Sequence, residues 1–155
     1  MGKLKYGMVA LLLYAMLASV AYIAVTYWNW NTGIVYSIVF LISVVIWYEA
    51  LNRAFARGLG QGMGVIFSYI VPSLIISYLY FAAAATPAGE AGSKNWLYQL
   101  FHLPLLFGLN NSLFSDYSFL VIIFPSLLML ILAIYPFTRY IIKAIESQHT
   151  QYIFR

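Results

Sequence analysis

Few residues in this sequence are equipped for chemistry, and their spacing decides what kind. Glu49 stands four residues before Arg53, which puts both side chains on one face of a helix. In its plain form such a pair is a surface ion bridge. In its sharper form it is an ion- or proton-coupled site with Arg53 and Arg57 as cationic partners, since an ionisable group inside a membrane is a functional candidate by default. Pro72-Ser73 and Pro125-Ser126 repeat one dipeptide inside two apolar runs. Each proline removes a backbone donor and frees a carbonyl, and the serine beside it can re-satisfy local groups. Paired interruptions of this kind mark binding sites in transporters. They also kink helices so that a bundle packs, the plainer expectation for Pro72, Pro125 and Pro136.

Other chemistries are thinly represented. There is no cysteine, so thiol catalysis, disulfides and thiolate metal sites are excluded. The two histidines, His102 and His149, are far apart and neither has a carboxylate pair at metal-ligand spacing, so no metal and no cofactor is expected. Gly58, Gly60, Gly62 and Gly64 alternate after Arg57, but no strand precedes them and no Lys-Ser/Thr follows. That is a flexible turn rather than a nucleotide loop. Arg53, Arg57, Arg139 and Lys143 are expected to meet anionic headgroups. Basic residues occur singly or in pairs, with no cluster to make a nucleic-acid groove.

The elements that must position these groups follow from composition. Of 155 residues, 64% are hydrophobic and 8% charged, against roughly 25% charged in a soluble chain. Between Lys5 and Glu49 there are 43 residues without a charge, between Arg57 and Glu90 there are 32, and between Asp116 and Arg139 there are 22. About 20 apolar residues cross a bilayer as a helix. The expected architecture is therefore an all-α polytopic membrane protein, a four-transmembrane-helix bundle forming one domain. Its spans fall at about 6–28, 34–51, 64–85 and 117–138, with an outer loop at 86–116 and a tail at 139–155. The first two spans are joined by a tight turn at Trp28–Gly33. Ser68, Ser73, Ser77 and Ala82–Ala85 give the third span a small-residue surface, which makes it the expected most-enclosed helix. The tail keeps helical spacing and is expected to extend the fourth helix, then run along the inner surface.

Lys and Arg orient the bundle. With the N-terminus cytoplasmic, seven of them (Lys3, Lys5, Arg53, Arg57, Arg139, Lys143, Arg155) lie inside and only Lys94 outside. Both termini are thus expected in the cytosol, in a plasma (inner) membrane. Tyr27, Trp28 and Trp30 suit the outer aromatic belt, Trp47 and Tyr48 the inner one. Two alternatives compete with this reading: cleavage of the first span as a signal peptide at Ser19-Val20-Ala21, and a fifth span at 95–115. The first apolar run is too long for a signal core, and the second segment is too polar.

The outer loop carries an apolar stretch, Trp96 to Leu103, too short to span and suited to an interfacial or re-entrant half-helix over about 96–109. Trp96, Tyr98 and His102 form its expected contact surface. Ser115-Asp116 before the fourth run reads as a helix N-cap. Three functions compete. The leading one is a membrane protein acting through protein contacts, as an accessory subunit, regulator or assembly factor, its partners being the bilayer and another membrane protein or itself. The alternative is an oligomeric transporter or channel for an ion or small solute, with a site near Pro72, Pro125 and Glu49 that includes Arg53, Ser73 and Ser126. A lipid- or peptide-directed enzyme using Glu90, His102 and Asp116 comes last.

Overall fold

Without water to bond to, the backbone of a long apolar run must satisfy its own N–H and C=O groups, and a helix does so within the segment. In the computed structural model, which describes residues 4–84 and 118–153, each run is one helix. They are α1 (Lys5–Trp28), α2 (Thr32–Arg57), α3 (Leu59–Ala84) and α4 (Ser118–Ile153). All four are long and apolar enough to cross a membrane. No strand occurs among the described residues. The all-α, four-helix expectation is met. The half-helix expected near 96–109, with Trp96, Tyr98 and His102, lies outside the described residues.

Two short reversals set the topology. At the first, Asn29 ends α1 in the left-handed region (φ 52°, ψ 32°), a conformation Asn tolerates better than most residues. Asn31 then caps α2, its Oδ1 accepting from the Ile34 N–H at 3.1 Å. At the second, the expected turn across four glycines shrinks to Gly58 alone. Gly58 adopts φ 139°, ψ 158°, a region essentially reserved for glycine. Its N–H donates to the Phe55 carbonyl at 3.1 Å, and its own carbonyl accepts from Gln61 and Gly62 at 3.1 and 3.2 Å. Gly60, Gly62 and Gly64 run on inside α3 because one residue has already reversed the chain. Packing accounts for one of them: a Cβ on Gly62 would overlap the Phe55 ring, whereas Gly60 has open space around it.

The helices also run past the expected span ends. α2 reaches Arg57 and α4 reaches Ile153. Their charged ends are helical because Ala, Leu, Arg, Lys, Ile and Glu there are helix formers with no Gly or Pro among them, and Glu49 pairs with Arg53 at four-residue spacing. The tail is therefore a continuation of α4 over all its described residues.

α2 and α3 are the centre. Each packs against the other three helices, whereas α1 and α4 do not meet among the described residues. The cross-section is a diamond, two triangles sharing the α2–α3 edge. α3 has 33% of its spanning window buried against 17% for α4. A small-residue stripe also runs along α1, where Gly7, Ala10, Ala18, Ala21 and Ala24 face inward on either side of Tyr14. Met8, Leu12, Met16 and Val20 of the same helix are exposed. A helix folded in water hides its large apolar side chains. Here they point outward and the small ones inward, as helix contact in an apolar medium favours. At Gly7 the approach to α3 is close: an added Cβ would overlap the Ser68 side chain and come within 3.2 Å of the Val65 Cα.

Candidate functional site

Two places in the bundle gather polar groups, one at its middle and one at its basic end. The middle is built around three rings. Tyr14 of α1, Trp47 of α2 and Tyr69 of α3 are all buried, with centroids 6.4 Å (Tyr14–Trp47), 6.3 Å (Tyr14–Tyr69) and 5.0 Å (Trp47–Tyr69) apart. Trp47 and Tyr69 stand eleven residues either side of Gly58, so the reversal itself brings them level. The sequence had assigned Trp47 to an interfacial belt. Instead its indole is 2% exposed, turned inward because two tyrosines from neighbouring helices offer edge contacts there. Tyr48, beside it, packs at 6.4 Å against Tyr135 of α4.

One turn beyond these rings lies a layer of hydroxyls. Ser43 and Ser73 stand fifteen residues either side of Gly58 and both are fully buried. Ser126 joins them by register. Phe55 touches Phe137 at a centroid distance of 5.8 Å and lies against Gly62, and Ser73 and Ser126 are each eleven residues from those landmarks. Both therefore sit about 16 Å along the bundle from Phe55. Ser43 satisfies itself by donating to the Val39 carbonyl at 2.6 Å. The Ser73 and Ser126 hydroxyls and the Trp47 indole N–H are enclosed with no hydrogen-bond partner among the described residues. Pro72 sits inside α3 directly before Ser73, and Pro125 inside α4 before Ser126. Ser43, Tyr14 and Tyr69 were not singled out from the sequence. For Ser43 and Tyr69 the signal was there only as symmetry about Gly58, unreadable until one glycine of four is known to turn; no spacing marks Tyr14.

Glu49 and Arg53 are elsewhere. The Arg53 Nε donates to Glu49 Oε1 at 2.7 Å, with side chains 66% and 47% exposed. Glu49 is six residues nearer the basic end than Ser43, about 9 Å along the axis. The structure thus separates the Glu49–Arg53 pair from the Pro-Ser pairs instead of assembling one site. On one side of this pair, between α1 and α2, is an apolar groove that includes Val9, Leu13, Val45 and Ile46.

On the other side, between α2 and α4, opens a cleft of about 470 Å³. Its polar lining is Asn52, Arg53, Arg139, Tyr140, Lys143 and Ser147, with Pro136 at its wall. Arg139 and Lys143 are exposed and have no carboxylate partner among the described residues. Arg57 stands apart, its guanidinium 5.1 Å over the Tyr6 ring, a cation–π contact that ties the start of α1 to the end of α2. Chemically the cleft can hold an anion, whereas the middle layer can only donate or accept hydrogen bonds.

No protein-family model matches this chain, and no curated protein or solved structure matches it either.

Proposed function

We propose that this chain is a multi-pass plasma (inner) membrane protein, both termini cytoplasmic, that works through contacts with another membrane protein or a second copy of itself. Accessory subunit, regulator and assembly factor are the roles of that class. The observation that carries the reading is the far end of α4. The helix continues for fourteen residues beyond Arg139, about 21 Å, with Lys143, Ala144 and Ser147 on the side of the α2 cleft. Ile141, Ile142 and Ile145 are exposed on it, beside Lys143 and Glu146. An apolar row on a charged helix is a shape that helix-in-groove or helix-on-helix recognition uses. Positive-inside bias puts this end in the cytosol. Crosslinking in native membranes, read by mass spectrometry, tests the reading: adducts should map to residues 141–146. A chain recovered alone and monodisperse from mild detergent, with no adducts, would overturn it.

A second reading, transport of an ion or small solute by an oligomer, is favoured by one observation. The enclosed Ser73 and Ser126 hydroxyls lie at one depth beside the two helix prolines. Its test is flux in proteoliposomes, where Ser73→Ala and Ser126→Ala together should abolish movement of the solute while expression is retained.

A further inference from the structure

We propose that the cleft between α2 and α4 is a binding site for the phosphate of an anionic phospholipid, held by Arg139 and Lys143 with Arg53 at its rim. The charge balance supports this. Among the described residues, three cations line the cleft and no carboxylate does. Arg53 is already bridged to Glu49 through its Nε. Glu146 shares the neighbouring groove with Arg139 and Lys143 and is not part of the cleft wall. Two cations, Arg139 and Lys143, thus face the cleft without an ion-pair partner among the described residues, enough for one phosphate. Arginine supplies the forked donor geometry that phosphate oxygens accept, and lysine a point charge.

The remaining lining decides for a lipid over a soluble phosphate. Phe55, Ala56 and Ala144 give the cleft an apolar floor beside its cations. Asn52, Tyr140 and Ser147 add hydrogen-bonding groups of the kind a headgroup's glycerol and ester oxygens need. The depth also fits. Arg139 is the first charge after 22 uncharged residues, and Arg53 lies four residues before the last residue of α2. Both stand where an apolar span ends and a bilayer's phosphates begin. Basic pockets between helices at that level are the ones that capture acidic headgroups.

The test uses the full chain in nanodiscs of phosphatidylcholine, into which phosphatidylglycerol is titrated, with bound lipid counted by native mass spectrometry. One phosphatidylglycerol should be retained per chain. Arg139→Gln with Lys143→Gln should weaken its retention by about thirtyfold, the combined effect expected of two basic residues at a membrane surface. Arg139→Gln alone should weaken retention about fivefold, whereas Arg57→Gln, which removes one charge from the same end but outside the cleft, should weaken it by less than about twofold. The conservative Arg139→Lys should restore most of the binding lost in Arg139→Gln. Equal losses in the single Arg139→Gln and Arg57→Gln variants would mean a diffuse charge effect and overturn the site. So would retention of phosphatidylcholine and phosphatidylglycerol alike. Inorganic phosphate and glycerol phosphate, added to the chain in pure phosphatidylcholine, are the soluble arm. If either binds as tightly as the lipid, the ligand is a free phosphate and the lipid assignment fails. Because lipid retention is read on the chain alone, its outcome is independent of whether a protein partner exists.

Discussion

The middle of this bundle and its basic end solve opposite problems with the same helices. At the middle, α1, α2 and α3 are held at fixed spacing by Tyr14, Trp47 and Tyr69, with Leu51 and Phe55 of α2 and Met129 of α4 also fully buried. At the basic end α2 and α4 part enough to leave the cleft that Arg53, Arg139 and Lys143 line. The difference follows from what lies outside. In hydrocarbon, side chains gain nothing by leaving the surroundings for the interior unless they pack better, so contact must come from shape. Where the apolar runs stop, cations prefer hydration or an anion, and tight closure would cost them both. One prediction separates the two regimes most sharply. Trp47→Ala should lower stability by about 2–3 kcal/mol, below the usual cost of a buried large-to-small change because the transfer contribution largely vanishes in lipid and the cavity contribution remains. Unfolding of the variant in detergent micelles measures it, and Arg139→Gln in the same assay should be close to neutral.

The close approach of α1 to α3 gives the next largest effect. Because a Cβ on Gly7 would overlap Ser68 and crowd the Val65 backbone, Gly7→Val should cost about 1–2 kcal/mol by overpacking. The remedy identifies the cause. Ser68→Gly should recover part of that loss in the double variant, a non-additivity that helix propensity alone would not produce. If the two changes simply add, α1 does not dock through this contact.

Much of the architecture was legible in the sequence because it is written in charge. Runs free of Asp, Glu, Lys and Arg mark the helices, and Asn29 and Asn31 mark the first reversal with side chains suited to a left-handed residue and a helix cap. What was hidden was azimuth. In a water-soluble helix polarity tells inside from outside, but on α1 and α2 both faces are largely apolar; size helps only on α1, since α2 buries Trp47, Leu51 and Phe55 while exposing Ile38, Leu41 and Val45. Trp47, expected in the inner belt at the end of its span, is instead buried at the middle of the bundle. The reversal at Gly58 was hidden for another reason: four alternating glycines are equivalent in sequence, and only the one that takes φ 139° turns the chain. The Glu49–Arg53 bridge, by contrast, depends on four-residue spacing alone, and it is present. The basic cleft was half visible: its cations were expected to meet headgroups singly, and only the parallel run of α2 and α4 gathers Arg53, Arg139 and Lys143 around one space.

A smaller effect tests the hydroxyl layer of the middle. Removing an enclosed hydroxyl that makes no hydrogen bond should be neutral or stabilise by up to about 1 kcal/mol, since its desolvation is relieved and no bond is lost. Ser73→Ala should behave so, whereas Ser43→Ala gives up the 2.6 Å bond to the Val39 carbonyl and should not gain. The contrast is informative because the two serines share depth and burial. A clear loss of stability in Ser73→Ala would mean that its hydroxyl is satisfied by a group beyond the described residues.

The smallest expected effect belongs to Glu49. Its bridge to Arg53 has ideal length, but both side chains are substantially exposed, and an exposed helix pair at this spacing is worth only about 0.3–0.5 kcal/mol. Glu49→Gln should therefore leave stability almost unchanged while freeing the Arg53 guanidinium of its carboxylate. That release reaches the cleft, because Arg53 lines it. Affinity for phosphatidylglycerol should consequently rise a few-fold in Glu49→Gln, the reverse of what Arg139→Gln does. The same variant distinguishes a coupling role from an electrostatic one. If Glu49 carries a proton or ion, its neutral replacement abolishes flux in proteoliposomes and leaves lipid retention unchanged. If it only restrains Arg53, lipid retention increases and flux, where any is found, persists.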